Sequence, residues 1–109
     1  MNFSSTEVGD ARAQAVEVRE DTIVLDLVDG RTMTVPIVWY PRLWHGVKEE
    51  RAHFELLDEG RYIHWPDLDE DLSIEGMVAG RRSGENAESL RKWLAKRNVS
   101  SIGEERHDG

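Results

Sequence analysis

Cysteine is absent from all 109 residues, which excludes disulfides and thiolate metal sites. A chain without thiols fits a cytoplasmic setting, where disulfides are rare. No apolar run approaches the roughly 18 residues that a membrane-spanning helix needs, so no membrane role is expected. The start, Met1 to Asp10, lacks a basic patch followed by an apolar stretch, so no secretory leader is expected there. Proline is scarce, with three residues, and neither an internal repeat nor a low-complexity stretch occurs. Apolar residues make up only 39% of the chain, so one modest core is the most that this length can build. Four tryptophans compensate, because each can bury a large surface.

Positive charge is also in short supply. The net charge is −8, a balance that repels nucleic acid and anionic membranes and favours a basic partner. The charge is uneven. Ten acids against two arginines lie in residues 49–75, and six bases against two acids in residues 81–97. Such runs read either as two solvated faces or as an acidic docking surface beside a basic helix.

Period-2 alternation marks the first half of the chain. Apolar residues alternate from Ala13 to Arg19, then at Ile23, Leu25 and Leu27, then at Met33, Val35 and Ile37. Asp29-Gly30 between the last two runs suits a type I′ hairpin turn. Pro36 cannot donate to a ladder and places its strand at an edge or an end. Pro41 suits the first turn of a short helix over 39–45. Residues 47–56 read as another short helix, with Val47, Phe54 and Ala52 inward. Leu56-Leu57, a turn at Asp58-Glu59-Gly60, and Tyr62 to Trp65 read as extended. Residues 67–72 read as an acidic loop, and Ser73 as the cap of a helix over 74–79 that Gly80 ends. Residues 85–97 form an amphipathic helix whose Ala87, Leu90, Trp93 and Leu94 share a face. The expected class is α+β: a small antiparallel sheet that starts with a β-hairpin, packed with short helices and the C-terminal amphipathic helix. The expected organisation is a flexible 1–12, a core 13–80, a C-terminal helix 81–98, and a polar tail 99–109 whose Glu104–Gly109 is disordered.

Chemistry-bearing groups are few. His45, Glu49 and His53 would share a helix face, as a zinc site requires, but Gly46 interrupts that helix. Asp67-x-Asp69-x-Asp71 starts like a calcium loop but has Leu72 and Val78 where glycine and glutamate are needed. No nucleophile elbow or phosphate loop occurs, and His64 with Asp69 has too common a spacing to mark an acid–base pair. No metal or other cofactor is expected, and the protein is not expected to be an enzyme. Trp39, Tyr40, Trp44 and Trp65 could stack on bases, but Trp39 and Trp65 sit at strand ends and read better as core. Tyr40, Arg42 and Trp44 are the residue types that anchor interfaces when exposed together. The apolar stripe of the last helix could instead dock on a partner or on a second copy of the chain.

Three segments in order carry a resemblance. They are Val35-Pro36-x-x-Trp39-Tyr40-Pro41-Arg42-Leu43, then Glu49-Glu50-Arg51 with Glu55-Leu56-Leu57, then Ile63-His64-Trp65-Pro66-x-Leu68-Asp69-Glu70-Asp71-Leu72-Ser73-x-Glu75-Gly76-Met77. With the Asp29-Gly30 hairpin, the chain over about 13–80 resembles the small bacterial family catalogued as domain of unknown function 2442. The resemblance implies a small α+β domain and, as partner, a small protein such as the toxin of a toxin–antitoxin pair. Some longer members carry a helix-turn-helix, for which one helix after Gly80 leaves no room. The expectation is therefore a non-enzymatic acidic binding module of antitoxin type. Its partner would meet Asp67, Asp69, Glu70 and Asp71, with Arg42 and Trp44 as anchors. The alternative is a nucleic-acid-binding regulator that uses Arg81, Arg82, Arg91, Lys92, Lys96 and Arg97.

Overall fold

The computed structural model describes residues 11–108, with side chains over 11–97. Most of the flexible start expected at 1–12 lies outside the described residues, as does Gly109. Among the described residues, no helix is long and apolar enough to cross a membrane.

Two three-stranded antiparallel sheets carry the fold. The first holds β1 (Ala13–Val18), β2 (Thr22–Leu27) and β3 (Thr32–Pro36), in that order. A bulge interrupts β1 between Ala13 and Ala15. The β2–β3 connection differs from the expected two-residue turn. Only Gly30 has a positive φ there (98°), Gly30 N–H donates to the Leu27 carbonyl (3.0 Å), and Leu27 N–H donates to the Arg31 carbonyl (2.8 Å). That is a three-residue loop whose glycine supplies the left-handed step. The Asp29 carboxylate steadies it by accepting the Arg31 N–H at 3.0 Å.

A 3₁₀ turn (Ile37–Trp39), α1 (Pro41–Trp44) and α2 (Lys48–Ala52) lead to the second sheet. The helix expected over 47–56 is thus a single turn. His53 leaves it with φ −94° and ψ 87°, and Glu55 already pairs with His64. Val47 and Ala52 are exposed, because one turn of helix has no inner stripe to offer them; Phe54 alone packs on the core. The second sheet orders β4 (Glu55–Leu57), β5 (Tyr62–Trp65) and β6 (Glu70–Ser73). The end of the acidic stretch read as a loop is therefore a strand. An edge strand tolerates the charged side chains that a central strand would not. α3 (Ile74–Val78) follows, with the Ser73 hydroxyl accepting the Gly76 N–H at 3.0 Å. α4 spans Ala87–Asp108, beyond the boundary expected at 98.

One core joins the sheets: Ile23, Leu25, Leu27 and Val35 from the first; Ile63 and Trp65 from the second; and Ile37, Tyr40, Leu43, Leu68, Ile74 and Met77 from the connections. Trp65 is fully buried, and its indole N–H donates to the Arg51 carbonyl at 2.9 Å, so its polar atom is satisfied. The sheets also meet at Gly60, whose carbonyl accepts the Ala13 N–H at 2.8 Å. A Cβ at Gly60 would lie 2.2 Å from the Ala13 carbonyl oxygen, and φ there is +89°, so only glycine fits.

Candidate functional site

Strand period sorts the acidic stretch of the chain onto two sides. In β5, Ile63 and Trp65 are buried, so Tyr62 and His64 face outward. Cross-strand register then sets two outer rows: Glu55, His64 and Asp71, and beside it Leu57, Tyr62 and Ser73. Leu57 is 40% exposed and Tyr62 44%, which leaves apolar surface at the middle of this face. His64 Nδ1 and the Asp71 carboxylate hydrogen-bond across the strands. Asp58 and Glu59, both in left-handed conformation, form the β4–β5 turn at one end. Asp67 and Asp69 form the β5–β6 turn at the other. Asp67 accepts from His53 Nδ1 at 2.7 Å, and Asp69 has its side chain 88% exposed.

The same alternation turns Glu70 the other way. It pairs with the buried Trp65 and shares its side of β6 with Leu72. Burial pushes its carboxyl up to about 7, against the pull of Arg42 and with the help of the negative Glu85 and Asp71. Tyr40 is buried nearby. Burial and the Glu70 charge push its phenol up to about 12, and its hydroxyl donates to the Arg81 carbonyl at 3.4 Å.

Arg42 is not a free anchor. Its Nε and Nη2 donate to the Glu85 carboxylate at 2.7 and 2.9 Å, and its Nη1 donates to the Asp69 carbonyl at 2.9 Å. The two side chains of this pair are only 17% and 7% exposed. The Arg42 hydrogen bonds hold the Glu85 carboxyl below its ordinary range. Trp44 is exposed but lies two residues on, so it faces away from Arg42 on the short α1. Tyr40, Arg42 and Trp44 therefore form no common contact patch.

Of the six expected acidic-site residues, then, Asp67, Asp69 and Asp71 stand at the exposed end and outer face of the second sheet. Glu70 and Arg42 turn inward beside Glu85, and Trp44 stands apart. Sequence reasoning missed Glu55, Leu57, Tyr62 and His64 as one face. The alternation of Tyr62 to Trp65 was the signal, but the pairing partners were not evident. His45, Glu49 and His53 do not converge, and no group of three potential ligands gathers among the described residues. Of the bases in 81–97, Arg82 lies over Trp39 (5.0 Å), Lys92 lies 3.6 Å from Glu88, and Arg97 binds Glu50.

Comparison with known proteins places this arrangement in a family. No curated protein matches the chain. A protein of unknown function from Rhodospirillum rubrum, solved as a crystal structure, is similar with 27% identity and a TM-score of 0.62, over 69% of this chain and 93% of that one. An uncharacterized protein from Chromobacterium violaceum, solved by NMR, shares the fold at 21% identity with a TM-score of 0.58, over 89% and 90%. The profile of the protein family of unknown function DUF2442 matches residues 13–83, which is most of the chain and includes both sheets. The chain belongs to the DUF2442 family.

Proposed function

We propose that this protein is a non-enzymatic binding module that presents the outer face of its second sheet to a basic partner protein. The carrying observation is the pairing of exposed Leu57 and Tyr62 with acids on both sides along the strands: Glu55 and Asp71 in the next row with Asp67 and Asp69 beyond them, and Asp58 and Glu59 in the opposite turn. An apolar centre with a polar rim is the anatomy of a protein interface. The rim sets encounter rate and specificity, while the desolvated Tyr62 supplies affinity. Catalysis would need a nucleophile or electrophile beside His64 and Asp71. Their neighbours on that face are Glu55, Leu57, Tyr62 and Ser73, and the Ser73 hydroxyl is engaged in capping α3. The family resemblance supports a small toxin as the partner, with the module as its antitoxin.

Co-expression with the product of the adjacent gene tests this reading. The two proteins should co-purify at low salt, and Asp69→Lys with Asp71→Lys should abolish retention. Retention unaffected by the reversals would overturn the proposal, as would a failure to co-purify.

A further inference from the structure

We propose that α4 is an arm that opens and closes as a unit of its own, held shut by an ionic clasp around Trp93 while the two sheets stay folded. Among the described side chains of α4, residues 87–97, none belongs to the fully buried core; Trp93 packs against that core from outside. What holds the helix is charge. The Arg42 guanidinium lies 5.2 Å from the Trp93 ring centroid and the Arg97 guanidinium 4.8 Å. Each arginine is in turn gripped by a carboxylate on the opposite partner. Arg42, on the body, binds Glu85, two residues before the helix. Arg97, on the helix, binds Glu50 on the body through Nη1 and Nη2 at 3.1 and 2.9 Å. The Ser89 hydroxyl also donates to Glu85 at 2.6 Å, and the Val47 N–H donates to Glu50 at 2.9 Å.

The chain before the arm shows where it would swing. Arg81 N–H donates to the Gly76 carbonyl and Ser83 N–H to the Trp39 carbonyl, so the backbone is pinned to the body as far as Ser83. A Cβ at Gly84 would meet no atom within 4 Å, and the Asn86 side chain caps α4 by accepting the Ser89 N–H at 2.7 Å. Among the described residues, the backbone bond at the joint between the pinned segment and the capped helix is a local one, the Glu85 N–H donating to the Ser83 hydroxyl at 3.0 Å, so the joint itself is not tied to the sheets. The pairs are partly desolvated, so breaking one leaves a poorly hydrated charge behind. That favours two discrete states over gradual fraying. Elements held by few buried apolar contacts are the ones that open without global unfolding.

Hydrogen exchange of the full chain, read by mass spectrometry, tests the arm independently of any partner. Peptides from 87–97 should exchange at least about tenfold faster in Glu85→Gln than in the wild type, with peptides from β2 and β3 unchanged. Arg97→Gln, at the far end of the clasp from the joint, should act in the same direction and leaves the Arg42–Glu85 pair in place. The inference is overturned if α4 protection is indifferent to both substitutions. It is equally overturned if β2 loses protection in step with α4, which would make the helix an integral part of the fold.

Discussion

The two sheets of this protein are built from the same strand geometry and put it to different uses. In the first, each inward position of β2 is aliphatic and fully buried, and the outward positions carry Thr32, Thr34 and Glu17 around a half-buried Val24. In the second, one inward position is the carboxylate Glu70, while Leu57 and Tyr62 stay outside. The first sheet follows the pattern that minimises free energy. The second departs from it twice, once on each side. Departures from local consistency concentrate at functional or strained sites, which is why the second sheet is read as the working half.

Substitutions in each sheet put this contrast to the test. The largest effect belongs to the first sheet. Leu25→Ala should cost about 3 kcal/mol or more in denaturant unfolding, because it opens a cavity at a fully buried site. Gly60→Ala tests the joint between the sheets and should cost roughly 2–3 kcal/mol, through a strained φ and a clash with the Ala13 carbonyl.

Glu70→Gln should act in the opposite direction. The folded-state value of Glu70 is raised to about 7, so the unfolded chain ionises this group first as pH rises. The stability that its neutral form allows is present below the ordinary carboxylate range and is lost as pH climbs through about 7. The variant should therefore be the more stable protein at about pH 8 and close to wild type at about pH 4, by urea midpoints. A variant less stable than wild type at the higher pH would show that Glu70 is held by partners stronger than its burial.

The smallest effect belongs to the outer face. Tyr62→Ala should change stability by less than about 1 kcal/mol, because its contacts there are solvent-shared. A loss comparable to that of Leu25→Ala would mean that the face serves packing after all.

The first sheet was legible in the sequence because Ile23, Leu25 and Leu27 alternate strictly with residues of lower burial. The hairpin at Asp29-Gly30 was legible too, although its loop is one residue longer than the dipeptide alone suggested. β6 was hidden because Glu70 and Asp71 are poor strand formers, and only pairing with Trp65 and His64 makes a strand of them. For the same reason, the acidic run looked like one surface. A strand sends neighbours to opposite faces, so Glu70 and Asp71 part company as soon as the chain is extended. The inward fate of Arg42 depended on Glu85, which lies 43 residues away, and no local pattern reports such a contact. Ser73 as a helix cap and Trp65 as core were both readable, since each follows from its immediate neighbours.

On the proposed function, the outer face of the second sheet, and not acidity in general, engages the basic partner. The direct measurement compares two sets of charge reversals of equal size for binding to the adjacent gene's product: Asp69→Lys with Asp71→Lys on the second sheet, and Glu17→Lys with Glu20→Lys on the first. If that face is the docking surface, the first set abolishes binding and the second leaves it within about twofold of wild type. Equal losses from both sets would contradict it, by showing that net charge alone draws the partner.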